Sequence, residues 1–514
     1  MGQRRGLPAT LPTSGMDRRA TSRRSWRHHP KHDSYMRCVK RTARGNLFPP
    51  ITVFADCETS CYWRHNCITR DCRADVVRRA DCTPARWRAL PASATGTAFL
   101  TGAKQAVSHE TPVPIQARRP LQQMQQKFRS IALLLVAEVS AMSLWFVSAA
   151  VLPDILREFQ LPAGQQAALS SGVQAGFVIG ALISAVLGIA DRFDPRRVFA
   201  ISAMAAGAAN AMLLVVDPGS VMAVAARVAT GAFLAGVYPV GMKIAIGWGL
   251  ADRGFLVGAL VGAITLGSAS PHLFALGGGA NWRVTVAMAS AAAVAAGLLG
   301  LATAIGPHHT KAASFDPRVV ATAWTNKKVR LAYAGYLGHM FELYAMWAWI
   351  AVAAAASFKS SMPAPDAEHL ARLTTFIAIA AGGVACGFAG FAADRIGKAN
   401  VTIIAMLVSG GAALATAATF GGPAWLTIAL IIVWGTAIVP DSAQFSALVA
   451  DHSPPGQAGS LMTLQTALGF ALTIGTVQLA AVLANSFGWP IVLAALAIGP
   501  ALGVMAMAKL RSMP

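Results

Sequence analysis

Two glutamates lie within long apolar runs, at positions that correspond in the two halves of the chain. Glu138 is followed seven residues later by Trp145, and Glu342 is followed seven residues later by Trp349. The two pairs are 204 residues apart (342 − 138 and 349 − 145). A carboxylate in hydrocarbon costs several kcal/mol unless it faces a cavity or a partner. This doubled arrangement therefore predicts a polar path through the centre of a membrane.

A histidine near the second glutamate adds a side chain that could handle a proton. His339 precedes Glu342 by three residues, and helical spacing places the two on adjacent turns of one face. A pair of this kind can change charge near neutral pH. We predict that a coupling proton binds Glu138 or Glu342, with Glu342 and His339 as the preferred titrating pair. The alternative for His339 is a packing residue.

The elements that must position these residues are apolar helices. Of the 514 residues, 55% are hydrophobic and 13% are charged, and the mean hydropathy is +0.51. A soluble protein of this length needs more polar surface, so the composition indicates an integral membrane protein. The apolar runs reach the roughly 20 residues that a spanning helix requires, and they lack the alternation of β-barrel strands. We predict an all-α integral membrane fold.

Twelve such runs follow one another between short polar breaks. The predicted spans lie near 130–152, 166–190, 198–216, 220–247, 255–277, 283–305, 331–356, 370–392, 400–419, 424–447, 458–484 and 489–509.

Landmarks in the first six spans recur in the last six. Asp191-Arg192 after span 2 corresponds to Asp394-Arg395 after span 8, at an offset of 203 residues. Six spans return the chain to its starting side, so the second copy has the same orientation as the first. Two such halves around an axis normal to the membrane form one known transporter architecture. We predict twelve transmembrane helices as two six-helix bundles related by pseudo-two-fold symmetry.

Basic residues are concentrated in the loops on one side of the predicted bundle. Short loops rich in Lys and Arg stay in the cytoplasm, so these loops predict that both termini are cytoplasmic. We expect a multi-pass protein of the cell (inner) membrane, surrounded by the lipid bilayer. The residues concerned are Arg192, Arg196, Arg197, Lys311, Arg318, Lys327, Lys328, Arg330, Arg395 and Lys398.

The loop after span 8 carries a specific motif. It reads G-F-A-A-D-R-I-G-K and includes Gly390, Asp394, Arg395, Gly397 and Lys398. This motif resembles the GxxxDRxGR/K loop of the major facilitator superfamily, a family of twelve-span secondary transporters. The resemblance covers residues 124 to 514. It implies transport by alternating access between two six-helix halves.

The corresponding loop after span 2 departs from that pattern. It keeps Asp191 and Arg192, but it has Leu187 and Asp194 where the pattern has glycine, which leaves its tight turn in question. The resemblance implies that both loops act as conformational latches. Their aspartates would accept hydrogen bonds from a neighbouring helix end and stabilise an outward-facing state, while their basic residues meet helix carbonyls or acidic lipids. Positive-inside topology explains the basic residues equally well.

Arg227 opens an R-V-A-T-G run in span 4 that resembles the RxxxG element of the same family. Because the first and fourth spans line the cavity in this family, Arg227 is the expected partner of Glu138 or of an anionic substrate. Trp145, Trp347 and Trp349 are expected to stack against substrate. A structural Glu138–Arg227 ion pair and an interfacial aromatic belt are the alternatives.

Two prolines stand at counterpart positions late in spans 4 and 10. Pro239 and Pro440 predict bends in both helices, with freed backbone groups facing the cavity. Asp441 and Gln444 follow Pro440 closely and are further candidates for the polar path. Lys243 is expected to extend to the cytoplasmic interface.

These features predict a secondary active transporter that moves a small polar or anionic solute by alternating access, coupled to protons. The chain has no nucleotide-binding, metal-binding or hydrolase motif, so we predict no enzyme activity, no cofactor and no metal. We also predict no nucleic-acid partner and a monomer.

Three alternatives remain. A multidrug efflux proton antiporter is the alternative within transport, although span 5 lacks the Gly-Pro-x-x-Gly-Gly run of that branch. A membrane-embedded enzyme and a transport-dead receptor belong to other classes, and the buried acids disfavour the receptor.

Residues 1–123 differ in character from the rest of the chain. They hold 22 of the 43 Lys and Arg and six of the seven cysteines, without sustained periodicity. A zinc site, nucleic-acid binding and a transit peptide each fit this segment weakly. We predict a basic, Cys-containing extension over 1–123 that is disordered or a start-site artefact. An N-terminal bundle over 124–305, a central cytoplasmic loop over 306–328 and a C-terminal bundle over 329–514 follow.

Met124 opens a short basic lead before the first span, which is how a polytopic protein with a cytoplasmic N-terminus begins. We therefore expect the mature protein to start near Met124. Mass spectrometry of the native N-terminus checks this expectation. Recovery of peptides from residues 1–100 would contradict it.

Overall fold

The computed structural model describes residues 115–249, 252–279, 281–309 and 319–513, without the side chains of 115–121, 190 and 191. Most of the predicted N-terminal extension, over 1–114, lies outside the described residues, as does the stretch 310–318 of the predicted central loop. The domain boundaries therefore stay a prediction.

The first half of the described chain is helical throughout, with short connections. Its helices are α1 (Ile115–Met142), α2 (Val147–Glu158), α3 (Ala163–Leu187), α4 (Ile189–Arg192), α5 (Pro195–Ala211), α6 (Val221–Leu234), α7 (Tyr238–Ile246), α8 (Arg253–Gly277) and α9 (Trp282–Leu301).

The second half repeats this plan after a short helix that lies within the predicted central loop. Its helices are α10 (Val319–Thr325), α11 (Lys327–Phe358), α12 (Ala364–Ile396), α13 (Lys398–Ala418), α14 (Ala424–Ala437), α15 (Ser442–His452), α16 (Ala458–Phe487), α17 (Trp489–Leu496) and α18 (Ile498–Arg511).

Within the described residues, twelve helices or broken helices are long and apolar enough to cross a bilayer, which confirms the predicted all-α fold and span count. Spans 1 to 6 are α1–α2, α3, α5, α6–α7, α8 and α9, and spans 7 to 12 are α11, α12, α13, α14–α15, α16 and α17–α18. We call the face where span 1 begins and span 12 ends the terminal face, and the other the opposite face.

Spans 4 and 10 are broken at the predicted prolines. Pro239 lies in the first turn of α7, just after the break, and Pro440 lies in the break between α14 and α15. Proline cannot donate to the helical ladder, and in hydrocarbon the freed carbonyls must find partners within the protein. Span 1 is broken as well, between Met142 and Val147, which the sequence did not predict.

Glycines bring the helices of each half into backbone contact. A Cβ on Gly231 of α6 would overlap the carbonyl oxygen of Val173 in α3. In the second half, a Cβ on Gly435 of α14 would lie 2.5 Å from the carbonyl oxygen of Ala378 in α12. Small residues permit such close approach in membranes, where packing replaces the hydrophobic effect as the driving force. Each half is therefore held together by matched crossings.

The halves meet along spans 2 and 11 and along spans 5 and 8. At the second contact, a Cβ on Gly262 of α8 would lie 3.2 Å from the carbonyl oxygen of Gly383 in α12. At Gly258, one turn nearer the terminal face, a Cβ would meet no atom within 4 Å.

Left-handed glycines end the helices at both motifs, and the second motif is helical up to Ile396, because α12 extends beyond the predicted end of span 8. Gly188 (φ +62°) follows α3, and Gly397 (φ +87°) follows α12. The first loop thus takes its turn from Gly188, directly after Leu187. Asp194 instead caps α5 by accepting a hydrogen bond from the backbone N–H of Arg196 at 2.9 Å. The guanidinium of Arg196 also bonds to this carboxyl and holds its pKa below the usual value.

Gly231→Ala should lower the free energy of unfolding by about 1–3 kcal/mol, because the added methyl group collides with backbone that cannot yield. Thermal unfolding in detergent, followed by circular dichroism, measures the change. Gly387→Ala is the matched control, since a Cβ there meets no atom within 4 Å. Equal losses in the two variants would contradict the packing argument.

Candidate functional site

Glu138 lies in α1, fully buried, and neither carboxylate oxygen has a hydrogen-bond partner among the residues that the structure describes. The side chain packs against the backbone of α7: a Cβ on Gly241 would lie 2.6 Å from its Oε2 and 3.5 Å from the ring of Phe199. A buried carboxyl without a donor or a cation is rare, because burial of an unpaired charge costs far more than burial of a neutral group.

Glu342 lies in α11 and is also buried, but both of its oxygens accept hydrogen bonds. Ser409 Oγ donates to Oε2 at 2.9 Å, and Trp434 Nε1 donates to Oε1 at 2.8 Å. At the 204-residue offset the first half has Ala205 and Thr230 instead, and the hydroxyl of Thr230 donates to its own helix. The loss of these two donors is the physical reason why Glu138 is unpartnered.

His339 does not pair with Glu342 as expected. Its Nδ1 lies 2.9 Å from Oδ1 of Asp441, at ion-pair distance, although the N–H is not aligned for a hydrogen bond. Its Nε2 lies 2.9 Å from Oγ of Ser442. The ring therefore faces the break in span 10, while Glu342 faces spans 9 and 10 through its own two donors.

Arg227 does not pair with Glu138. All three guanidinium nitrogens donate elsewhere: Nη1 to Asn210 Oδ1 (2.5 Å), Nε to the carbonyl of Leu169 (3.2 Å), and Nη2 to the carbonyls of Leu144 (2.8 Å) and Trp145 (3.0 Å). The last two carbonyls lie in the break of span 1. Arg227 thus stabilises an irregular backbone segment that could not be solvated in hydrocarbon.

The break in span 1 separates the two copies of the Glu–Trp pair. Glu138 lies before the break and Trp145 lies inside it, so the two do not share one helix face as predicted. Glu342 and Trp349 do share the continuous helix α11. The indole N–H of Trp349 donates to the carbonyl of Val477 at 3.0 Å, so Trp349 packs within the second half.

Trp145 instead lies at the boundary of the two halves, in a cluster of aromatic rings. Its ring centroid is 5.0 Å from Phe177, 5.4 Å from Phe470 and 5.9 Å from Tyr344. Such spacings are typical of interacting aromatic pairs. We define the aromatic cluster as these rings together with Phe146 and Trp347, whose centroids are 5.6 Å apart.

The aromatic cluster joins three rings of each half and is buried. The indole N–H groups of Trp145 and Trp347 have no hydrogen-bond partner. Gln174, one turn from Phe177, and Gln465, in the same helix as Phe470, are also buried and unpartnered. Sequence reasoning missed both glutamines and four of the rings, although Phe146 and Tyr344 adjoin the predicted residues closely in sequence.

Ion pairs at the opposite face connect the two halves. Arg372 of α12 donates to Oδ2 of Asp154 in α2 at 2.6 Å, and both residues are buried. Arg157 donates to Oδ1 of Asp154 at 2.6 Å and also binds Glu368 of the second half. A buried ion pair is strongly destabilised when one partner is removed. We call these four residues the opposite-face gate.

Polar contacts described at the terminal face connect helices of the same half. Lys127 binds Asp252 at 2.5 Å, and Lys398 binds Asp451 at 2.5 Å. Asp394 and Arg395 of the motif loop are exposed.

Among the described latch side chains, Lys398 forms an ion pair, with Asp451 of α15 in the same half. Asp394 and Arg395 form no hydrogen bond or ion pair within the described part of the chain, Arg192 is exposed, and a Cβ on Gly390 would meet no atom within 4 Å. The side chain of Asp191 lies outside the described residues. The latch role of these loops stays a prediction.

No group of three or more potential metal ligands occurs among the side chains that the structure describes. The predicted polar residues of span 10 are buried, with Asp441 beside His339 and Gln444 one turn further along α15.

Solved structures with the same architecture include carriers of polar solutes. The nucleoside transporter NupG matches at 15% identity and a TM-score of 0.59, covering 75% of this chain and 99% of its own. The xylose transporter XylE from E. coli, in a partially occluded inward open conformation, matches at 14% identity and a TM-score of 0.57, with 76% and 100% covered. A D-xylose-proton symporter matches at 15% identity and a TM-score of 0.58, with 76% and 97% covered. At these identities the likeness shows a shared fold.

Comparison with curated protein sequences finds no match. The sequence model of the Major Facilitator Superfamily matches residues 133–475, which is well over half of the chain. That match, together with the twelve-span fold, shows that the chain belongs to the major facilitator superfamily and is a secondary transporter rather than an enzyme.

Proposed function

We propose that this transporter moves a small polar solute by alternating access and couples that movement to protons, with Glu138 as the proton carrier. The observation that carries the proposal is the complete burial of a carboxyl group whose two oxygens have no hydrogen-bond partner in the described part of the chain. As a carboxylate it would be an uncompensated charge in hydrocarbon, whereas as an acid it is neutral. Glu138 therefore holds a proton in this closed arrangement and releases it when separation of the halves admits water.

The aromatic cluster is the proposed solute site. Its rings offer apolar faces for stacking, and the free N–H groups of Trp145 and Trp347 and the amide of Gln174 offer hydrogen bonds. The hydrogen bonds of Arg227 favour an uncharged solute over an anion, because all three guanidinium nitrogens already donate within the protein. Neutral ring compounds rich in hydroxyl or amide groups suit this set of contacts.

The closed gate at the opposite face supports alternating access. Besides the gate, Gln478 of span 11 donates to Ser171 of span 2 at 3.1 Å, again between the halves. The basic loops predict that the terminal face is cytoplasmic, so the arrangement corresponds to a carrier closed towards the outside. We propose that it operates as a monomer in the cell membrane, without a cofactor.

Glu138→Gln should abolish uptake driven by a pH gradient while leaving exchange of solute across the membrane intact, because glutamine keeps the shape of the acid but carries no proton. The solute is first identified by thermal shift of the purified protein with nucleosides, neutral sugars and organic anions. Proteoliposome uptake is then measured with and without an imposed pH gradient. Gradient-driven accumulation of the solute by Glu138→Gln should be at least tenfold lower than that of the wild type.

Glu158→Gln is the matched control for this experiment, since Glu158 belongs to the same span but lies exposed in an ion pair with Arg283. Its uptake should match that of the wild type. Undiminished gradient-driven uptake by Glu138→Gln would refute proton carriage by this residue.

Arg372→Gln should open the opposite face, because Asp154 would be left buried with only the exposed Arg157 as a partner. The loss of about 3 kcal/mol corresponds to an approximately 100-fold shift of population away from the closed state. Spin labels at Val215 and Ser361, in a background without the seven native cysteines, report the distance between the halves at this face.

Arg283→Gln is the control, because it breaks an ion pair at the same face within one half. The label distances should lengthen in Arg372→Gln and stay unchanged in Arg283→Gln. Closed-state distances in both variants would show that the gate does not hold the halves together.

A further inference from the structure

The break in span 10 brings together a buried histidine, an aspartate and a serine that the proposed role of Glu138 does not use. His339 of α11 and Asp441 of the break are each 1% exposed, and their Nδ1 and Oδ1 atoms lie 2.9 Å apart. Ser442, the first residue of α15, places its Oγ 2.9 Å from the other ring nitrogen. Both nitrogens of the ring thus face a polar atom in an otherwise apolar helix crossing.

This geometry accommodates the ring in either protonation state. A neutral imidazole carries its hydrogen on Nδ1, facing the carboxylate of Asp441, and accepts a hydrogen bond from Ser442 at Nε2. A protonated imidazole keeps the first contact and donates to the same hydroxyl, because a hydroxyl can both donate and accept. Uptake of one proton converts a neutral ring beside a carboxylate into an imidazolium–carboxylate pair without net charge.

Other titratable groups lie close to this pair. Glu342 on the same helix and Cys386 of α12 are within electrostatic range of Asp441. The ring of Tyr336, also in α11, lies 6.1 Å from that of His339. None of these three groups is a cation.

The pair has no counterpart in the first half. At the matching offsets, His339 corresponds to Leu135, Asp441 to Val240 and Ser442 to Gly241. This His–Asp pair is therefore present in one half only. Burial of such a pair costs free energy, because the charged groups lose their hydration. Its presence at a helix break therefore points to function.

We propose that His339 and Asp441 form a second proton-binding site, separate from Glu138. This proposal rests on the proposed role of the protein as a proton-coupled carrier. The site joins span 7 to the second segment of span 10. Span 7 also supplies Tyr344 and Trp347 to the aromatic cluster, so a proton bound here changes the contact between a solute-facing helix and a broken one. The proton is held on the imidazole, with the carboxylate as its counter-ion.

Proton binding by the purified protein tests this site without knowledge of the solute. A pH indicator counts the protons taken up between about pH 8 and about pH 5, the range in which a histidine site titrates. His339→Gln and Asp441→Asn should each lose the same single proton, and the double variant should lose no second one. The same single loss should appear when these variants are made in a Glu138→Gln background, because the two sites are separate.

Asp366→Asn, which alters an exposed carboxyl at the start of α12, is the control for general charge effects and should leave the count in this range unchanged. Independent losses from His339→Gln and Asp441→Asn, or none at all, would overturn the second site. The proposed role of Glu138 is tested separately, by gradient-driven uptake in Glu138→Gln, so failure of one proposal can be distinguished from failure of the other.

Nitrogen-15 resonances of the histidine rings give a readout that does not depend on a charge-removing variant. Among the histidine rings whose resonances change with pH in the wild type, one should show an Nε2 resonance that Ser442→Ala shifts. Absence of a titrating ring that responds to Ser442→Ala would exclude His339 as the proton acceptor.

Discussion

A single buried arginine holds the irregular backbone on which the centre of this transporter depends. Hydrocarbon cannot solvate the carbonyl groups that a broken helix exposes, so the break in span 1 requires donors from within the protein. Arg227 donates to the carbonyls of Leu144 and Trp145, and it also donates to acceptors in spans 2 and 3. Four spans of the first half meet at this guanidinium. The direction of Trp145 towards the second half follows from it.

The acceptor in span 2 is the main-chain carbonyl of Leu169, and the acceptor in span 3 is the side chain of Asn210. These bonds occupy the guanidinium fully, so its charge serves the fold of the first half. Other polar side chains of the site, above all the two buried glutamates, are therefore the candidates for binding a proton. Glu138 has lost the donors that its counterpart keeps, whereas Glu342 is held by Ser409 and Trp434. Duplication thus produced two acids with the same position and different surroundings.

Close packing makes each half rigid, whereas polar contacts connect one half to the other. At glycine crossings, such as that of Gly231 in span 4 against span 2, the helix backbones are in direct contact. Each half therefore behaves as a unit. The gate between Asp154 and Arg372 joins these units at the opposite face, and a Cβ on Gly258 of span 5, nearer the terminal face, would meet no atom within 4 Å. Two rigid halves that are joined by ion pairs at the opposite face are suited to rocking about the aromatic cluster.

The sequence by itself determined the all-α fold, the twelve spans, the duplication and the bends at Pro239 and Pro440, because apolar length and helix-breaking residues act locally. It also identified the buried acids. Only the tertiary structure decided their partners: Arg227 binds carbonyls rather than Glu138, and His339 faces Asp441 rather than Glu342. The reason is physical. Spacing along one helix predicts which side chains share a face, but the break in span 1 and the neighbouring helices determine which atoms come within bonding distance.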